Sequence, residues 1–116
     1  MSKTKPEADP NILAKIAAMP EPFCTLGQRL HDIIVHSAPA LLPSLWYGMP
    51  AYKKEGKTIC FFRADKQYMT FGITQDANLS VEAGTAHQLI ESAWYFSGLD
   101  DATEARLAAI VRKIAN

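Results

Sequence analysis

The sequence predicts an α+β domain: an antiparallel β-sheet meander with N- and C-terminal helices packed on one face. Apolar residues recur at helical spacing before residue 38 and after residue 98. Between them, aromatic and β-branched runs alternate with short turn sequences. The 116 residues, of which 48% are hydrophobic and 21% charged, fit one globular domain rather than a disordered chain. We therefore predict a frayed terminus over residues 1–8 and a single domain over residues 9–116.

Two helices are predicted in the first third of the chain. Asp9 followed by Pro10 is typical of a helix N-terminus. The apolar stripe after it consists of Ile12, Leu13 and Ile16. Pro20 ends this helix, because proline cannot continue the helical hydrogen bonds. A second helix is expected from Pro22 to Ser37, where these apolar residues keep helical spacing: Phe23, Leu26, Leu30, Ile33 and Ile34.

Three strands are predicted next, and a fourth further along the chain. They cover Leu45–Lys53, Thr58–Ala64, Gln67–Ile73 and Ala93–Ser97. Glu55-Gly56 fits a two-residue hairpin turn that pairs Lys54 with Lys57. Asp65-Lys66 fits a second such turn, which pairs Ala64 with Gln67. The pattern assigns no element to residues 74–91.

The closing helix has the clearest pattern. Asp101 and Glu104 stand three residues apart, as in a capping box. Arg112 and Lys113 lie in the final turn, where cations suit the helix dipole. The apolar residues recur at i, i+3, i+4 and i+7, so this helix is expected to pack on the sheet: Leu107, Ile110, Val111 and Ile114.

The predicted register divides the strand residues between two faces. The apolar face, expected to meet the helices, carries Tyr47, Met49, Ala51, Cys60, Phe62, Met69, Phe71 and Ile73. On the other face, aromatic residues stand beside glycines and one arginine, which is unusual for a solvated sheet face. The candidate ligand or partner surface on that face is Trp46, Gly48, Pro50, Tyr52, Phe61, Arg63 and Tyr68.

Three interpretations of this surface remain open. Residues 74–91 fold over it and bury it, or a second copy of the chain covers it in a homodimer. In the third, it forms a shallow pocket for a small-molecule ligand, with the tyrosine hydroxyls and Arg63 as polar groups. A cation over an aromatic ring is expected where Arg63 meets Tyr68.

Charge and motifs exclude several function classes. Twelve Lys and Arg residues offset twelve Asp and Glu residues, so no nucleic-acid partner is expected. No stretch approaches the roughly 20 apolar residues of a membrane span, and no signal-peptide core is present, so we expect a cytoplasmic protein. Cys24 and Cys60 lack Cys-x-x-Cys spacing, and His31 and His36 are five apart, so no metal site is expected. No catalytic or phosphate-binding motif occurs, and no cofactor is predicted.

One segment resembles a known family. Residues 46–52 read Trp-Tyr-Gly-Met-Pro-Ala-Tyr, and the sequence around them resembles the YdhG-like bacterial family, a domain of unknown function. The resemblance continues over residues 57–62 and the closing helix. It implies a frataxin-like fold with helices on one side of an antiparallel sheet and the quoted segment on the first strand. Some members are labelled iron chaperones, but the helix over residues 22–37 offers only Asp32 as an acid.

From these observations we expect a small cytosolic, non-enzymatic binding or interaction module of unknown ligand. The first alternative is a frataxin-like iron-handling protein. The second is a small-molecule enzyme whose site has no recognisable motif.

Overall fold

The structure, a computed structural model, describes residues 9–116, so the predicted frayed terminus over residues 1–8 lies outside the described residues. Three helices accompany five strands in the described part of the chain. In order they are α1 (Asn11–Ala17), α2 (Phe23–Ser37), β1 (Leu42–Trp46), β2 (Met49–Lys54), β3 (Lys57–Ala64), β4 (Met69–Ile73), β5 (Ala93–Phe96) and α3 (Asp101–Ile114). The strands form one antiparallel sheet in chain order, which confirms the α+β meander.

The two long helices are close to their predicted bounds. Helix α2 begins one residue later than expected. Helix α3 contains the predicted apolar residues Leu107, Ile110, Val111 and Ile114, and all four are buried. Its cap is Asp100 rather than Asp101, because the Asp100 carboxylate accepts a hydrogen bond from the Thr103 amide at 2.8 Å. Glu104 is therefore free of a capping role and forms a two-pronged ion pair with Arg29 of α2, with both N–O distances at 2.7 Å.

Helix α1 is short, and only part of its predicted apolar stripe is buried. Ile12 and Ile16 are buried, since residues four apart share one side of a helix. Leu13 is 59% exposed, which corrects the expectation that it belongs to the stripe. Gly27 allows α1 and α2 to approach closely, because a Cβ there would lie 3.1 Å from the Cγ2 atom of Ile16.

The predicted first strand is in fact a hairpin. Tyr47 and Gly48 have φ angles of +52° and +76° and form a two-residue turn, so that Trp46 pairs with Met49. Tyrosine rarely adopts a positive φ, so of the two turn residues only the glycine is a residue type that indicates such a turn. The segment that resembles the YdhG-like family therefore lies across a turn and two strands, not on one strand.

The β2–β3 hairpin has the predicted turn but a different register beyond it. Glu55 and Gly56 form the turn, and Lys54 pairs with Lys57 as expected. The register then shifts by one residue between Tyr52 and Lys53, so Tyr52 pairs with Cys60. A one-residue shift moves every following side chain to the opposite face. Pro50 and Tyr52 therefore lie on the helix side of the sheet, and Ala51 lies on the other side, which corrects the prediction.

The β3–β4 connection is longer than predicted, but the side chains of β4 still lie on the predicted faces of the sheet. Ala64 pairs with Met69 rather than with Gln67, so residues 65–68 form the connection. Because the difference is two residues, each β4 side chain keeps its predicted face. The residues expected to be buried together against the helices are indeed in one core, which confirms that part of the register: Cys60, Phe62, Met69 and Phe71.

The irregular segment between β4 and β5 is attached to α3 at Asn78. The backbone amide of Asn78 donates to the Ile114 carbonyl at 2.9 Å, and its side-chain amide donates to the Lys113 carbonyl at 3.1 Å. These bonds satisfy carbonyl groups at the C-terminus of α3 that have no partner within the helix. The segment is thereby attached on the helix side, so the interpretation in which it covers the other sheet face is wrong.

Candidate functional site

The sheet face opposite the helices, called here the outer face, keeps only part of the predicted surface. Trp46, Phe61 and Arg63 lie on it, and Tyr95 of β5 joins them through its pairing with Thr70. Gly48 lies in the β1–β2 turn and Tyr68 in the β3–β4 connection, at the margins of this face. Pro50 and Tyr52 do not contribute to it.

The aromatic rings of the outer face cover the small residues of their own sheet. A Cβ atom on Gly72 would come within 2.6 Å of the Cζ atom of Phe61, so this ring lies directly on the glycine. The Trp46 ring packs in turn against Phe61, with ring centroids 5.3 Å apart. Thr70 and Ala51 are buried, although they face away from the helices. The ring of Phe61 thus fills the space that the glycine leaves on this face.

Arg63 has a different partner from the one expected. Its Nε atom lies 3.3 Å from Asp65, whose carboxylate also accepts the Thr70 hydroxyl at 2.5 Å. The Tyr68 ring faces Tyr95 instead, with centroids 6.3 Å apart. The predicted contact between the arginine and this ring is replaced by a short-range ion pair.

Tyr52 forms a buried polar contact with α2. Its side chain is fully buried, and its hydroxyl lies 2.7 Å from the Nδ1 atom of His31. Burial raises the pKa of Tyr52 and lowers the pKa of His31, so both groups are neutral near pH 7. The hydrogen bond between these two groups joins β2 to α2 as a structural contact.

The cysteines and acids form no reactive or metal-binding cluster in the described residues. Cys60 is buried, and burial raises the pKa of its thiol, which disfavours the nucleophilic thiolate. Within residues 9–116, no group of three or more His, Cys, Asp or Glu side chains lies close enough to hold a metal ion.

A large cleft opens between α3, β5 and residues 78–91. Its volume is about 670 Å³. Trp94 and the α3 residues Ala109 and Ile110 contribute to its walls, with further apolar lining from Ile73, Leu79, Leu89, Ile90 and Ile114. Leu89 and Ile90 are 75% and 42% exposed, so part of this lining is open to solvent.

Charged groups of both signs line the large cleft. Arg106 and Lys113 come from α3, while Glu82 and Glu91 come from the irregular segment. The Arg106 guanidinium lies 4.0 Å from the Glu91 carboxylate, the outer limit of an ion pair. His87 also lines the cleft, and its Nδ1 atom accepts a hydrogen bond from the Leu89 backbone amide at 3.1 Å.

A small cleft of about 300 Å³ adjoins the large one. Trp94, Arg106 and Ile110 line both clefts. The remaining apolar lining of the small cleft includes Phe96, Ala102 and Leu107.

Sequence reasoning missed both clefts. It assigned Ile110 and Ile114 to the core, which is correct, but residues 74–91 have no periodicity from which to place a cleft wall. The available signal was the apolar residues Leu79, Leu89 and Ile90 inside an irregular segment, all three of which line the large cleft.

No protein-family model, curated protein or solved structure matches this chain. The resemblance to the YdhG-like family therefore remains a prediction from the residues quoted above. In the part of the chain that the structure describes, no helix is long and apolar enough to cross a membrane.

Proposed function

We propose that this chain is a non-enzymatic binding module that holds a small molecule in the large cleft. The single observation that carries the proposal is the cleft itself, which is concave, mostly apolar and about 670 Å³ in volume. Small-molecule sites typically enclose roughly 300–1,000 Å³, with apolar walls and a few polar groups. The outer-face residues Trp46, Phe61 and Arg63 line neither of the two clefts.

The lining indicates the chemistry of the ligand. The indole of Trp94 and the aliphatic side chains favour an apolar body, since burying apolar area is favourable by roughly 25 cal/mol per Å². Arg106 and Lys113 are balanced by Glu82 and Glu91, so the cleft carries little net charge. A ligand that is neutral overall, with separate donor and acceptor groups around an apolar body, fits this lining best.

A binding role is favoured over catalysis by the hydrogen bonding of His87. Its Nδ1 lone pair is occupied by the Leu89 backbone amide. A general base needs a free lone pair within hydrogen-bond reach of a nucleophile. We keep the YdhG-like family and a cytoplasmic location as parts of this proposal, on the sequence grounds given above.

The proposal is tested by a thermal-shift screen of neutral, aromatic fragments. A fragment that binds only the folded state raises the melting temperature. Ala109→Trp places an indole in the large cleft and should abolish the shift. Ala105→Trp is the matched control, because Ala105 is exposed on the same helix and lines neither cleft. Fragments that stabilise Ala109→Trp as much as the parent, or a screen without hits, would contradict the proposal.

A further inference from the structure

The outer edge of β5 has backbone groups without partners. Strand β5 is the last strand of the sheet and pairs only with β4. The Ile73 amide donates to the Ser92 carbonyl at 2.8 Å, so the backbone groups of Ser92 point toward β4. Because bonding alternates along an antiparallel strand, Trp94 and Phe96 bond toward β4, and Ala93 and Tyr95 direct their N–H and C=O groups outward. No backbone hydrogen bond within residues 9–116 involves these outward groups.

The small cleft lies directly beside this edge. Trp94 and Phe96 place their side chains on the helix side of β5, where they line the cleft. The opposite wall is the α3 surface formed by Ala102, Arg106 and Leu107. A free strand edge and an apolar groove between that edge and a helix thus occur together. An added strand fills both, because its backbone pairs with the edge and every second side chain enters the groove.

We propose that β5 accepts an extended peptide segment of a partner protein as an additional strand, with an apolar side chain in the small cleft. This role goes beyond the small-molecule site in the large cleft and rests on different observations. The residues of the peptide that pair directly with Ala93 and Tyr95 direct their side chains to the outer face. The peptide residues that alternate with these direct their side chains into the groove.

Charge complementarity specifies one further feature of the partner. Among residues 9–116, Arg106 is the only charged residue that lines the small cleft, and its side chain is 61% exposed. Its nearest carboxylate, Glu91, lies 4.0 Å away. An acidic side chain two residues from the apolar one shares the same face of the peptide and meets this guanidinium. The partner segment is therefore extended, with an apolar and an acidic residue at positions i and i+2.

A second copy of the chain fits this edge less well. A symmetric pairing of β5 with itself matches Ala93 with Tyr95 of the copy and places the twofold axis at Trp94. Arg106 lines both clefts beside Trp94, so the axis brings two like charges together. A peptide with a carboxylate at this position replaces that repulsion by an ion pair.

The test uses a fluorescein-labelled peptide, TKLTEKT-amide, and measures fluorescence anisotropy with the full chain. Its leucine and glutamate share one face, and the isomer TKLETKT-amide places them on opposite faces with the same composition. The first peptide should bind at least about tenfold more tightly than the second. Ala102→Trp should fill the small cleft and abolish binding, while Ala105→Trp should bind like the parent.

Backbone pairing is tested on the peptide, so that protein folding does not affect the result. N-methylation of the threonine between leucine and glutamate removes an amide that points toward β5, and it should abolish binding. N-methylation of the glutamate removes an amide that points away, and it should preserve binding. On the protein, Tyr95→Pro removes the outward N–H and should abolish binding, while Tyr95→Ala keeps that N–H and binding.

The proposal is overturned by no binding of either peptide, by equal binding of the two N-methylated peptides, or by binding that Ala102→Trp leaves intact. A dimer in sedimentation that Tyr95→Pro dissociates assigns the edge to a second copy and also overturns it. The large cleft is tested separately by Ala109→Trp, so failure at the edge is distinguishable from failure of the proposed function.

Discussion

Replacing Tyr52 by Phe tests the register shift that moved this residue from the outer face to the core. The substitution removes a hydroxyl that is fully buried and lies 2.7 Å from the Nδ1 atom of His31. A typical hydrogen bond contributes about 0.5–1.5 kcal/mol to stability, and a buried group left without a partner costs about 1–3 kcal/mol. His31 is only half-buried, so water can partly replace the lost hydrogen-bond partner. We therefore expect the free energy of unfolding to fall by about 1 kcal/mol.

The assay is urea unfolding at about pH 7.5, where the Tyr52 and His31 side chains are both neutral. Tyr47→Phe is the matched control, because Tyr47 is 84% exposed and its hydroxyl makes no hydrogen bond in the described residues; it should match the parent. In a His31→Ala background, Tyr52→Phe should cost clearly less, since the interaction is already lost. If Tyr52→Phe and Tyr47→Phe change the stability equally, Tyr52 does not lie in the core and the register described here is wrong.

Three further predictions concern the pH dependence, the outer face and the cleft wall. Burial lowers the pKa of His31 from its ordinary 6.5, so the folded state binds a proton less readily than the unfolded state. The free energy of unfolding should therefore be constant above the unfolded-state pKa of 6.5 and should fall as the pH drops below it. His31→Gln should remove this component from urea titrations between about pH 7 and pH 5. Gly72→Ala should destabilise the fold by about 1–3 kcal/mol, because the new methyl group meets the Phe61 ring; a cost unchanged in a Phe61→Ala background would refute this contact. Ile110→Ala should cost about 2–5 kcal/mol in chemical unfolding, since the side chain is 8% exposed; a loss within about 0.5 kcal/mol of zero would mean that α3 does not pack on the sheet.

The predictable parts of the fold have strong local signals. In α3, the apolar spacing from Leu107 to Ile114 and the acidic first turn agree on one helix, and the structure confirms it. Glu55-Gly56 marks a turn because glycine adopts a positive φ without strain. In both cases the decisive information lies within a few neighbouring residues, so tertiary contacts do not change the outcome.

The errors arose where tertiary pairing overrides the local pattern. Tyr47 has a positive φ with no glycine or asparagine at that position to indicate it, and the register shift at Tyr52 has no sequence signal. That shift exchanged the faces of β2 and removed Pro50 and Tyr52 from the candidate surface. The large cleft could not be predicted either, because its outer wall is an irregular segment attached to α3 through Asn78.

The most direct test of the central claim uses the two tryptophans as reporters. Trp94 lines the large cleft, while Trp46 lies on the outer face, and the chain has no other tryptophan. In a ¹⁵N-labelled sample, each indole N–H gives its own signal, which Trp46→Phe assigns. On titration with a stabilising aromatic fragment, the account predicts that the Trp94 signal shifts with saturation and that the Trp46 signal stays in place. A saturable shift of Trp46 with Trp94 unchanged would contradict it and return the binding site to the outer face.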